Sequence, residues 1–115
     1  MAPELLRQPV HLNAMPVLGE RHPFTRAILA EAPDAPGVYA LWDDGELVFY
    51  GSAFGGTFTI RSCLAEHLGG VRAIAARATH CSWEISLSPG ARERQLLDEY
   101  RAQHGCAPRG NAQTG

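Results

Sequence analysis

Glu93 is the side chain whose position most asks for chemistry. It stands three and four residues before Leu96 and Leu97 and seven before Tyr100, so on a helix it shares their apolar face. A carboxylate turned inward needs a partner or a metal, because burying it unpaired is costly. The ordinary alternative is a first-turn glutamate that complements the helix dipole or pairs with a neighbour such as Arg92. Tyr39 has a similar double aspect. Its phenol becomes a catalytic group if an arginine or a metal lowers its pKa; otherwise it packs with a wet hydroxyl. Cys63 and His67 lie four residues apart on an expected helix, where they share a face and either pack or ligate a metal. Between positions 61 and 77, three arginines (Arg61, Arg72 and Arg77) face one acid, Glu66, and form a modest basic strip.

The elements that must hold these residues centre on PGVYALWDDGELVFYG, residues 36–51. Residues 37–42 and 46–50 are β-like runs joined by Asp43-Asp44-Gly45, a strong hairpin signal in which glycine supplies the positive φ. Val38, Ala40 and Trp42 alternate with Tyr39 and Leu41, and Leu47 and Phe49 with Val48 and Tyr50, which turns Tyr39 toward the more polar side of the sheet. Gly51 marks the strand exit. A helix follows to about Leu68, capped by Thr57 or Thr59 and stopped by Gly69-Gly70, with Ile60, Leu64, His67 and Leu68 as its stripe. Arg61 and Cys63 border that stripe on opposite sides. Residues 79–87 alternate as a third strand, with Cys81, Trp83, Ile85 and Leu87 on one face. Ser88-Pro89 opens a last helix that Gly105 ends, and residues 106–111 read as an extended tail. Before the hairpin, residues 23–30 form a short helix and residues 1–21 a loose arm.

The expected fold is therefore α/β of the α+β kind: a small three-stranded antiparallel sheet flanked by helices, in the order β-β-α-β-α. The expected division is an arm and short helix over 1–32, a domain over 33–111 and a tail over 112–115. The apolar fraction of 45% suits a single globular domain. Neither a membrane-length apolar run nor a signal-peptide pattern is present, so the expected compartment is the cytoplasm. Cys63, Cys81 and Cys106 are an odd set without a CxxC pair, which indicates neither a disulfide framework nor a zinc ribbon. The net charge of −2 supplies no global attraction to nucleic acid. All ten basic residues are arginines, whose planar fork suits phosphate.

The triplets Gly37-Val38-Tyr39 and Phe49-Tyr50-Gly51, the helix TIRSCLAEHL and the segment ERQLLDEYRAQHGCAPRGN resemble, in that order, the motifs of the GIY-YIG nuclease superfamily. The resemblance spans roughly residues 33–111. It implies a three-stranded antiparallel sheet with helices and hydrolysis of DNA phosphodiester bonds, single- or double-stranded. It implies one divalent metal, Mg²⁺ or Mn²⁺, and no organic cofactor. Carried over by position, Glu93 holds the metal, Tyr39 positions or activates the attacking water, His67 lies one turn after the family's arginine and Asn111 supports the site. Two positions depart from the pattern. Phe49 stands where the family has tyrosine, with Tyr50 adjacent but facing away. Cys63 stands where the arginine belongs, which leaves Arg61 as the basic residue expected to serve. The alternative that these departures keep open is a weakened or inactive module of the same fold that binds nucleic acid or a protein partner.

Overall fold

The computed structural model describes residues 18–70 and 78–114. Arg72 and Arg77, and most of the arm expected at the N-terminus, lie outside the described residues. The element order is β1 (His22–Pro23), α1 (Arg26–Leu29), β2 (Gly37–Asp43), β3 (Glu46–Ala53), α2 (Ile60–Leu68), β4 (His80–Ile85), α3 (Pro89–His104) and α4 (Arg109–Thr114). The sheet is antiparallel and has four strands in the order β1-β4-β2-β3, not three. The added strand is the two-residue β1, which pairs His22 with Cys81 and Pro23 with His80. Pro23 thus belongs to an edge strand, where a missing N–H is tolerated. The short helix begins later than expected, behind Thr25, whose hydroxyl accepts from the Ile28 N–H at 3.3 Å.

Both faces of the sheet are covered. On one, Tyr39, Leu41, Phe49 and Cys81 pack with Phe24 and Leu29 around α1 and with Ile60, Cys63 and Leu64 of α2. On the other, Val38, Ala40, Trp42, Leu47 and Tyr50 pack with Leu18 and with Leu96 of α3, flanked by Leu97 and Tyr100. Leu41, Ile60, Leu64, Val38 and Val48 are each under 2% exposed. Burying a side chain of this kind stabilises the fold by roughly 1.5–3 kcal/mol. Tyr39 is buried within the first cluster rather than turned to a polar face.

The hairpin departs from simple alternation in two ways. Leu41 pairs with Phe49 but Trp42 pairs with Leu47, so Val48 is the extra residue of a bulge. Val48 and Phe49 therefore lie in the same cluster. At the turn, the positive φ belongs to Asp44 (54°) and not to Gly45. Aspartate tolerates this conformation, and the Asp44 N–H donates to Thr79 Oγ1 at 2.6 Å.

Elsewhere Thr59, not Thr57, caps α2, in a reciprocal capping box with Ser62. Strand β4 stops at Ile85, so Ile85 and Leu87 are exposed rather than core-facing. Ser82, on the expected polar face, is fully buried; the Trp42 Nε1–H donates to its hydroxyl at 3.1 Å. Ser88 precedes α3 but makes no side-chain cap bond. Arg109–Thr114 forms α4 where an extended tail was expected, and that helix passes the expected domain boundary at 111. No helix among the described residues is long and apolar enough to cross a membrane.

Burial sets a testable alkaline limit. It pushes the Cys81 thiol from 9.0 up to about 12. Burial first, and then the Glu99 carboxylate, push the Tyr50 phenol from 10.0 up to about 12. Between pH 9 and 12 the unfolded chain loses protons that the folded chain keeps, so stability falls as pH rises through that window and is full below it. Urea midpoints are expected to drop above pH 9, and Cys81→Ala to move the onset to about pH 10. A midpoint flat across that range would contradict the burial of both groups.

Candidate active site

A cleft of about 410 Å³ opens where the β3 edge meets α2 and α3. Tyr39 and His67 form its buried wall. Their Oη and Nε2 atoms are 3.0 Å apart, and both residues are 3% exposed. Phe49 closes an aromatic triad with them, its centroid 5.2 Å from the His67 ring and 6.2 Å from the Tyr39 ring. Lacking a hydroxyl, Phe49 contributes to the site by packing these rings.

Gly51 makes this wall possible. It pairs directly with Tyr39 across the hairpin, and the phenol lies over it. A Cβ at position 51 would fall 2.3 Å from Tyr39 Cζ and 2.4 Å from its Oη. The glycine is needed for the ring's approach and not for strand exit, because β3 runs on through Ser52 to Ala53.

That continuation supplies a residue the sequence analysis missed. The Ser52 hydroxyl donates to Glu93 Oε1 at 2.8 Å. Glu93, in the second turn of α3, lines the same cleft as Tyr39 and His67. It does not pair with Arg92, which instead grips Glu84 of β4 through Nε at 3.0 Å and Nη2 at 3.1 Å. Reading the strand as ending at the glycine hid Ser52; a period-two pattern carried past Gly51 would have exposed it.

The structure brings Tyr39, Phe49, Cys63, His67 and Glu93 to one cleft, together with Glu66, Phe54 and Phe58. It does not bring Arg61 there. Arg61 is exposed on the other border of α2, with Nε donating to the Ala32 carbonyl at 3.0 Å, and lines a separate groove with Arg26 and Leu68. The helix is not rotated to rescue it, because Cys63 is the residue turned inward. Among the described residues no arginine lines the cleft. Tyr50 also lies elsewhere, on the α3 face beside Trp42 and Tyr100.

Asn111 is not among the residues that line the cleft and instead binds the β3 edge beside it. Its Oδ1 accepts from the Tyr50 N–H at 2.8 Å and its Nδ2 donates to the Tyr50 carbonyl at 2.9 Å. The side-chain amide acts as a short extra strand that satisfies the β3 edge one residue before Gly51. Asn111→Ala is expected to cost about 1–3 kcal/mol, read as a lower urea midpoint. An unchanged midpoint would show that water replaces the amide there.

Among the described residues, no three His, Cys, Asp or Glu side chains gather as a metal-holding group. Cys63 and His67 share a face as expected. Among the described residues, the cleft lining carries two carboxylates, Glu93 held by Ser52 and Glu66. A Mg²⁺ ion in general keeps several waters and takes one or two carboxylates plus substrate oxygens.

No protein-family model matches this chain, and a search of curated proteins finds none that matches it at the significance required.

Proposed function

We propose that this chain is a metal-dependent endonuclease of GIY-YIG-like fold that hydrolyses DNA phosphodiester bonds. The observation that carries the reading is that the Tyr39–His67 hydrogen bond and the Ser52-held Glu93 carboxylate line one cleft. A phosphodiester gathers negative charge as water adds to phosphorus, and a divalent cation there stabilises that charge as a Lewis acid. Glu93 would hold the cation, with Ser52 fixing the carboxylate's orientation. With the His67 hydrogen on Nδ1, Nε2 accepts the Tyr39 proton and the phenol oxygen orients an incoming water. As the water oxygen attacks phosphorus, its proton passes to the phenol oxygen and the phenol proton to His67. The P–O bond to the leaving sugar oxygen breaks, and that oxygen, whose charge the cation would stabilise, takes a proton from solvent. Packing against Phe49 and Gly51 keeps both rings in register with the cleft.

A second reading is favoured by one observation: no guanidinium lines the cleft among the described residues, and Cys63 cannot clamp a phosphate. On that reading the fold is a weakened module that binds nucleic acid or a protein. Incubation of labelled single- and double-stranded DNA with Mg²⁺ or Mn²⁺, beside an EDTA control, separates the two. Cutting that EDTA abolishes supports the nuclease. Binding without cutting in either metal supports the module.

A further inference from the structure

Among the described residues, two large apolar side chains that line the cleft are exposed. Phe54 is 68% and Phe58 56% exposed, and both line the cleft. Leaving phenyl rings in water forfeits the stabilisation that burial would give, so their exposure together at a site asks for a ligand.

The loop that carries them is built to hold them. The Gly55 N–H donates to the Phe58 carbonyl at 2.8 Å, and the Phe58 N–H returns to the Gly55 carbonyl at 3.0 Å. Gly55 and Gly56 take positive φ values of 106° and 65° to close this turn. Ser62 Oγ donates to the Thr57 carbonyl at 2.8 Å and ties the turn to α2. Phe54 also abuts the start of α3: a Cβ at Gly90 would lie 3.6 Å from its Cε1. Gly90 and Glu93 are three residues apart on that helix and share a face, so the Phe54 ring sits one turn from the carboxylate. The exposed apolar surface continues along this end of the sheet. Ile85 is in register with Gly37, and Gly37 with Ala53, next to Phe54.

The charges in the cleft offer a polyanion no attraction, so affinity must come from the rings. The cleft holds Glu66 and Glu93 and, among the described residues, no arginine. Attraction to phosphates is therefore a poor source of affinity here. Stacking of bases on aromatic rings needs no charge and tolerates any sequence. A duplex hides its base faces; an unpaired strand offers them.

Building on the nuclease reading of the cleft, we infer that Phe54 and Phe58 form a base-stacking subsite that selects unpaired nucleic acid next to the bond to be cut. The substrate class is single-stranded DNA, or a locally unpaired stretch, rather than continuous duplex.

The test is fluorescence anisotropy in EDTA with three labelled probes: a short DNA strand, its blunt duplex, and an abasic strand with the same phosphates and no bases. The wild type is expected to bind the strand about tenfold or more tighter than either other probe. Phe54→Ala and Phe58→Ala should each weaken strand binding about tenfold, while Phe54→Tyr and Phe58→Tyr, which keep the ring, restore it. Equal binding of all three probes, or alanine variants that bind like the wild type, would overturn the inference. Should the chain instead self-associate through this end, sedimentation would show a dimer that Phe54→Ala dissolves, and that too would overturn it. The two readings fail separately. Ring-dependent strand binding without cleavage removes the nuclease and leaves the subsite. Cleavage that ignores both rings removes the subsite alone.

Discussion

Glu93→Gln is expected to lower metal-dependent strand cleavage by about 10²–10³-fold while leaving the fold intact. The amide keeps the shape of the carboxylate, and its oxygen can still accept the Ser52 hydroxyl that now lies 2.8 Å from Oε1. What it loses is the negative charge that holds a divalent cation. Glu93 is only partly buried and belongs to neither apolar cluster, so the melting temperature has little reason to change. Mn²⁺ titration supplies a readout apart from turnover: affinity should fall steeply in Glu93→Gln and about 10–100-fold in Ser52→Ala, which removes only the orienting bond. Cleavage by Glu93→Gln at the wild-type rate would mean that the carboxylate is a structural partner of Ser52 and nothing more.

The second large effect is expected at Gly51. An alanine there would place Cβ 2.3 Å from Tyr39 Cζ, closer than any packed pair of carbons. The ring has nowhere easy to go, since it is 3% exposed and is held by Phe49 and His67. Either the ring or the β2–β3 pairing must shift, at a cost of about 1–3 kcal/mol. Because the shift also breaks the Tyr39–His67 bond, cleavage should fall with stability. A double-mutant cycle isolates the cause. On a Tyr39→Ala background, Gly51→Ala should cost far less than alone, giving a coupling above about 1 kcal/mol. Additive losses would place the strain elsewhere in β3.

Much of this site was legible because two periods carry it. The alternation around Tyr39 and the helical spacing of Leu64, His67, Glu93 and Leu96 set which side chains share a face, whereas Cys63, which only borders the stripe in sequence, is buried with it. The hairpin, α2 and α3 are strong local patterns with clear turn or cap chemistry. What escaped was set by pairing and tertiary contact. Strand β1 is two residues long and includes Pro23, so no periodicity announces it; it exists because β4 offers an edge, where His22 stacks on Trp83. The bulge at Val48 leaves no mark in composition. The glycine at 51 looked like a stop signal, whereas it answers the Tyr39 ring opposite, and so Ser52 was lost to a presumed loop. Arg61 was favoured for its charge, but the face it occupies is fixed by Ile60, Cys63 and Leu64 filling the core. The partner of Asn111, the Tyr50 backbone, appears only once α4 folds against the β3 edge.

The most direct test of the central claim, that Tyr39, His67 and Glu93 act as one phosphodiester-cleaving site, is single-turnover cutting of an end-labelled DNA strand in Mn²⁺ by wild type and Tyr39→Phe purified by the same route. Removing one hydroxyl deletes the bond to His67 and leaves the ring packing in place. The account predicts cutting by the wild type that EDTA abolishes and that Tyr39→Phe slows by about 10²-fold or more. No cutting of any strand by the wild type, or equal rates for the two proteins, would contradict it.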